Sequence, residues 1–191
     1  MKNILDKMSN WKFILPFFIL FLIFPFFLFP YHQERMARLA GQEIMPLDSR
    51  FSYSYNEVKN DFDKLGVEGR NVYRTAIGVV DMIFPLIYGP LFILVLAWLL
   101  KRLTRRDSNW ILLAWFPLIG ILFEYLENFN TLSLLNNYPA ITESAVSYGE
   151  QMTQLKHIFL MLSVVFMPLL GIALLIKNFK RKQEGTLAST R

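Results

Sequence analysis

The chain has 191 residues, 54% of them apolar, with 18 Phe and a formal net charge of +5. That composition does not suit a small soluble domain and points to a membrane protein. Cysteine is absent, and His32 and His157 lie far apart in sequence, with no glycine-rich phosphate loop or nucleophile elbow between them. Thiol catalysis, disulfides, iron–sulfur clusters and cysteine-ligated zinc are thereby excluded, and neither a metal ion nor a cofactor is expected.

Lys and Arg gather beside the apolar runs, a pattern that writes membrane topology and gives no reason to expect a nucleic-acid partner. A hydrocarbon core of about 30 Å needs about 20 helical residues. Four runs reach that length, at residues 13–31, 75–100, 110–130 and 157–176. The expected fold is therefore all-α: one integral membrane domain over residues 1–191, built as a four-transmembrane-helix bundle.

The first run is uncharged from Phe13 to Tyr31, and Pro16, Pro25 and Pro30 should bend it without breaking it. Met1–Lys12 is basic and Ala37-Arg-Leu-Ala40 resembles a cleavage site. The run's 19 residues exceed the ~7–15 of a secretory apolar region, so it is expected to stay as an anchor.

Residues 32–74 form a long connection with seven basic and seven acidic residues. Gly41 to Phe51 reads as extended or irregular. Ser54 and Glu57 have the spacing of a capping box, Val58, Phe62 and Leu65 follow at helical spacing, and Gly66 supplies a stop. This predicts a short amphipathic helix packed on the bundle or the lipid. A second helix should begin near Val67 and run through Arg70, Tyr73 and Arg74 into the second span. Residues 131–156 carry a turn signal at Asn136-Asn137-Tyr138-Pro139 and should become helical from about Thr142 into the fourth span.

Orientation follows from charge. Lys2, Lys7 and Lys12, then Lys101, Arg102, Arg105 and Arg106 in the 101–109 loop, and the basic tail 177–191 all belong on the cytoplasmic side. The 32–74 and 131–156 loops then face outward, and both termini are cytoplasmic.

The informative residues are those a membrane helix should not carry. In the third run, 14 uncharged residues from Trp110 to Phe123 precede Glu124. As an α-helix they rise only ~21 Å, which would leave Glu124 within the outer third of the bilayer, with Glu127 and Asn128 one turn on. In the second run, Arg74, Gly78, Asp81, Pro85 and Tyr88 recur at steps of three and four. Pro117, Gly120, Glu124, Glu127 and Asn128 do the same in the third. Small residues permit close helix approach, and membrane carboxylates face a bundle interior or a wet cavity. The two stripes are expected to face each other and enclose an acidic pocket, with Arg70 and Arg74 at its rim beside His32, Arg35 or Arg38. Asp48 and Arg50 would form a lid. The plainer alternative is structural: Asp81 pairs with Arg74, Glu124 or Glu127 pairs with Arg70 or Lys156, and Asp48 pairs with Arg50 to fix a turn.

The segments LDSRFSYS, EGRNVYR, DMIFPLIYG and FEYLENFN, spanning Asp48 to Asn130, resemble a group of small bacterial four-span membrane proteins of unassigned function. The resemblance implies the same span assignment and a bacterial inner-membrane location. It singles out Asp48, Arg50, Glu68, Arg70, Asp81, Glu124 and Asn128, and brings no activity with it.

The sequence therefore predicts a non-enzymatic membrane protein that binds a small polar or cationic ligand, or a lipid headgroup, between spans two and three. Asp81 and Glu124 are the principal acceptors; Glu127, Asn128, Arg70, Arg74 and Tyr88 complete the site. The alternatives are a lipid- or isoprenoid-modifying enzyme using paired carboxylates, and an accessory subunit of a membrane complex. The expected partners are the bilayer, such a ligand, and a second copy or membrane-complex partner.

Overall fold

A computed structural model describes residue 5, residues 7–104 and residues 109–189, with side chains through Glu184. Lys2, Arg105, Arg106 and Arg191, among the basic residues that set the expected orientation, lie outside the described residues. The chain forms an all-α bundle of four long helices: α1 (Trp11–Ala40), α2 (Tyr55–Leu103), α3 (Asn109–Asn137) and α4 (Glu143–Ser189). Each is long and apolar enough to cross a membrane, as expected of a multi-pass integral membrane protein.

Helix α1 starts at Asn10, whose side chain accepts the Lys12 amide proton, and widens into a π-turn over Phe24–Leu28 around Pro25. The helix is thus continuous through Pro16, Pro25 and Pro30. It does not end with the apolar run. Instead it continues to Ala40, buries Met36, and stops at Gly41 in the left-handed conformation.

Helix α2 opens with the expected capping box. The Glu57 amide donates to Ser54 Oγ at 3.3 Å, and the Ser54 amide donates to Glu57 Oε2 at 2.7 Å. Gly66 breaks it at φ 61° and ψ −171°, a region open to little but glycine. The helix then resumes and passes through a second π-turn at Ala76–Asp81 before running on to Leu103. Helix α3 begins as a 3-10 stretch, Asn109–Trp115. After a turn at Tyr138–Pro139, α4 starts at Glu143, with Thr142 Oγ1 accepting the Ala145 amide proton at 3.2 Å.

Two apolar cores result. At the end of the bundle carrying the 41–54 and 138–142 connections, here called the loop end, Met36, Leu47, Val58, Phe62, Leu65, Leu135 and Val146 pack together. The amphipathic first segment of α2 is thus held by helices α1, α3 and α4. Toward the other end, Ile93, Leu96, Ala97 and Leu100 of α2 pack on Ile111 and Ala114. Phe21, Phe24 and Phe29 of α1 gather round Phe84, fastening α1 to α2. On α4 the exposed large apolar residues run from Ile158 to Phe179, a length that matches a lipid-facing belt at 1.5 Å per residue. A Cβ added at Gly171 of this helix would meet no neighbouring atom within 4 Å, so close helix packing does not account for the glycine.

Candidate ligand site

Between the two cores lies a layer of buried polar side chains: Asp81, Glu124, Glu127, Asn128, Thr131, Thr153 and Lys156. Helices α2 and α3 bring the first four together because small residues on their facing sides admit the neighbour. A Cβ on Gly89 would lie 2.5 Å from Ile121, and one on Gly78 3.5 Å from Leu132. Asn128 Nδ2 donates to the Asp81 carbonyl at 3.3 Å, the Tyr88 hydroxyl donates to Glu124 Oε2, and the Tyr125 hydroxyl donates to the Met82 carbonyl at 3.2 Å. Asp81 lies within electrostatic reach of Glu124, Glu127, Asp48 and Lys156.

Helix α4 supplies the cation. Lys156 Nζ lies 2.5 Å from Glu127 Oε2 and donates to the Asp48 carbonyl at 3.0 Å, although its ammonium is almost wholly buried. Thr153 donates to the other Glu127 oxygen at 2.6 Å, and the Tyr53 hydroxyl lies 3.3 Å from Thr153 Oγ1. Burial pushes the Tyr53 phenol well above its ordinary range, so it stays protonated. One carboxylate is therefore matched to one ammonium, while Glu124 takes a phenol proton donor.

Asp81 has no such match. Its Oδ2 is buried and accepts no hydrogen bond, and the same is true of Asp48 Oδ1. Both residues line a cavity of about 110 Å³ between α1 and α2, roofed by Pro46, Asp48 and Ser49 and walled by Phe29, His32, Met36 and Tyr73. The 47–49 turn thus sits over Asp81, where a lid would be. The open space lies between the first and second helices, with the α3 carboxylates behind Asp81. This differs from the expected placement between spans two and three. The backbone carbonyl of Asp81 meets Asn128 of α3, while the residue lines the space beside Phe29, His32 and Met36 of α1.

Distance along the helices separates residues that share a stripe on paper. Arg74, two turns from Asp81 on the side of α2 that meets α3, binds Asn136 Oδ1 at 2.6 Å and the Leu135 carbonyl at 3.0 Å. Arg70 donates to the Phe62 carbonyl at 2.6 Å and lies over the Tyr138 ring at 4.7 Å. Arg50 pairs with Asp61 at 2.6 Å rather than with Asp48. These three arginines fasten the loop end together. Glu68 lines a separate groove beside Arg35 and Arg38.

Two members of the polar layer, Thr131 and Thr153, carry no signal in the sequence, whereas Lys156 takes Glu127, one of the pairings the plainer reading allowed. At about 2.0 Å per residue, the 3-10 stretch lengthens the α3 run by roughly 3.5 Å. Phe123 stacks on Phe159, which brings the Glu124 turn of α3 level with the start of the exposed apolar stretch of α4.

Among the described residues, no group of three His, Asp or Glu side chains is arranged to hold a metal ion. The fold and this layer define a polytopic α-helical membrane protein with a carboxylate-lined cavity. Comparison with protein-family models, curated proteins and solved structures finds no match to this chain.

Proposed function

We propose that the protein binds a small cationic or polar ligand, of the kind carried by a lipid headgroup, in the cavity beneath the 46–49 turn. Asp81 and Asp48 are the acceptors. Glu124, Glu127, Asn128 and Tyr88 form the buried support behind them. The observation that carries this reading is the pair of unpartnered oxygens, Asp81 Oδ2 and Asp48 Oδ1, on the wall of one cavity. Buried polar atoms are nearly always satisfied, so two carboxylate oxygens in one space, with His32 Nδ1 also unpartnered beside them, fit a ligand that donates protons. A cavity of about 110 Å³ holds roughly three or four waters at ~30 Å³ each, or a compact ammonium group. The aromatic rings of Phe29 and Tyr73 on the same wall favour a cation further.

The basic segments at the far end of the bundle support an outward-facing cavity, with both termini cytoplasmic, in a bacterial inner membrane. Membership of the small bacterial four-span group it resembles fits this arrangement. Native mass spectrometry with lipid and metabolite profiling tests the reading. Wild-type protein should carry a co-purifying amine that is lost in Asp81→Asn. The reading fails if Asp81→Asn retains whatever wild type carries, or if wild type neither carries nor takes up a simple alkylammonium.

A further inference from the structure

The carboxylate cavity adjoins a groove of opposite character. Arg35 and Arg38 of α1 and Glu68, Asn71 and Thr75 of α2 line a space of about 480 Å³, and His32 belongs to both this groove and the cavity. His32, Arg35 and Arg38 succeed one another at steps of three, so they form one row along α1, leading from Asp81 toward the loop end. The five arginines between Tyr31 and Thr75 fall into two kinds. Arg50, Arg70 and Arg74 are committed to carbonyls, amides and a carboxylate within the fold. Arg38 reaches only Glu34, at 4.0 Å with both side chains about 70% exposed, and Arg35 reaches the Tyr31 ring at 5.7 Å. An exposed pair of that kind holds its partners weakly. Both guanidinium groups face a groove that leads to two unpartnered carboxylate oxygens.

We infer that the ligand is a zwitterion, with an ammonium against Asp81 and Asp48 and a phosphate, a few bonds away, against Arg35 and Arg38. Phosphate suits the forked donors of paired guanidinium groups better than a single carboxylate does. The shared chemistry is that of phosphoethanolamine, free or as the headgroup of a lipid. This rests on the cavity being an ammonium site, as proposed above.

Isothermal titration of the full-length protein in maltoside detergent separates the two claims, using ethylammonium and O-phosphoethanolamine as probes. The zwitterion should bind at least about tenfold tighter than the amine, the factor that one charge-assisted hydrogen bond supplies. The advantage should vanish in Arg35→Gln/Arg38→Gln while ethylammonium affinity stays unchanged. Equal affinities for the two probes, or an advantage that survives in the double variant, overturn the zwitterion and leave the amine site standing. If neither probe binds, or binding ignores Asp81→Asn, both readings fall. Displacement of O-phosphoethanolamine by detergent-solubilised phosphatidylethanolamine assigns the group to a lipid, and absence of displacement assigns it to a free solute; either supports the inference.

Discussion

Lys156 and Glu127 form an ion pair at 2.5 Å with almost no solvent exposure on either side chain. The same ammonium holds the Asp48 carbonyl, so a single side chain of α4 locks α3 and the turn over the cavity at once. Removing one member of a buried pair leaves an uncompensated charge and costs about 3–5 kcal/mol. Lys156→Met is expected to lose about that much, and Lys156→Met/Glu127→Gln to recover much of it. Unfolding titrations of the three proteins in detergent measure the difference. Equal losses in the single and double variants would show that the charge pairing is not the source.

Tyr88 is the proton donor to Glu124 and touches no part of the cavity. Tyr88→Phe leaves a buried carboxyl oxygen without its donor, worth about 1–3 kcal/mol. Unfolding titrations should show that loss, while the amine affinity of the Asp81 site changes little. A large drop in affinity with no loss of stability would instead place Tyr88 in contact with ligand.

The stop at Gly66 can be tested without disturbing any packing. A Cβ there meets nothing within 4 Å, yet the backbone has φ 61°. Gly66→Ala therefore costs strain alone, about 1–3 kcal/mol. A neutral substitution would mean that the first segment of α2 simply straightens, which circular dichroism would register as added helix.

Gly120 poses the opposite case. Its backbone is helical, but a Cβ would stand 2.7 Å from Leu160 Cδ2 and 3.3 Å from the Leu160 nitrogen. Gly120→Ala must push α3 from α4 or displace Leu160, a loss of about 1–3 kcal/mol. Gly171→Ala, with open space around it, is the matched control and should leave the melting temperature unchanged or slightly raised. Equal effects at the two positions would sink this account of the α3–α4 contact.

The features that could be read from sequence are those set by near neighbours in the chain. The Ser54–Glu57 capping box, the Gly66 stop, the buried Val58, Phe62 and Leu65, and the Thr142 start of α4 all depend on residues within one or two turns. The meeting of Asp81 with Asn128, and of Tyr88 with Glu124, was legible because helical spacing fixes a face. What was not legible depended on backbone departures without a residue code. NWILLAW reads as ordinary α-helix, yet it is wound as 3-10, and AIGVVD hides a π-turn that ends at Asp81. Residues 32–40 looked like loop because their helix is stabilised by burying Met36 against residues distant in sequence. Lys156 was legible as one of two cations for Glu124 or Glu127, and the docking of α3 on α4 selects Glu127.

Helices α2 and α3 both thread the two apolar cores and the charged stratum between them, α2 over 49 residues from Tyr55 to Leu103. The loop-end cap and the membrane bundle therefore share a spine, and neither can melt while the other keeps its shape. Heating should give one calorimetric peak rather than two, and a bound solute beneath the cap should move the whole of it. Such a protein would report occupancy at its loop end as rigidity down the length of its helices.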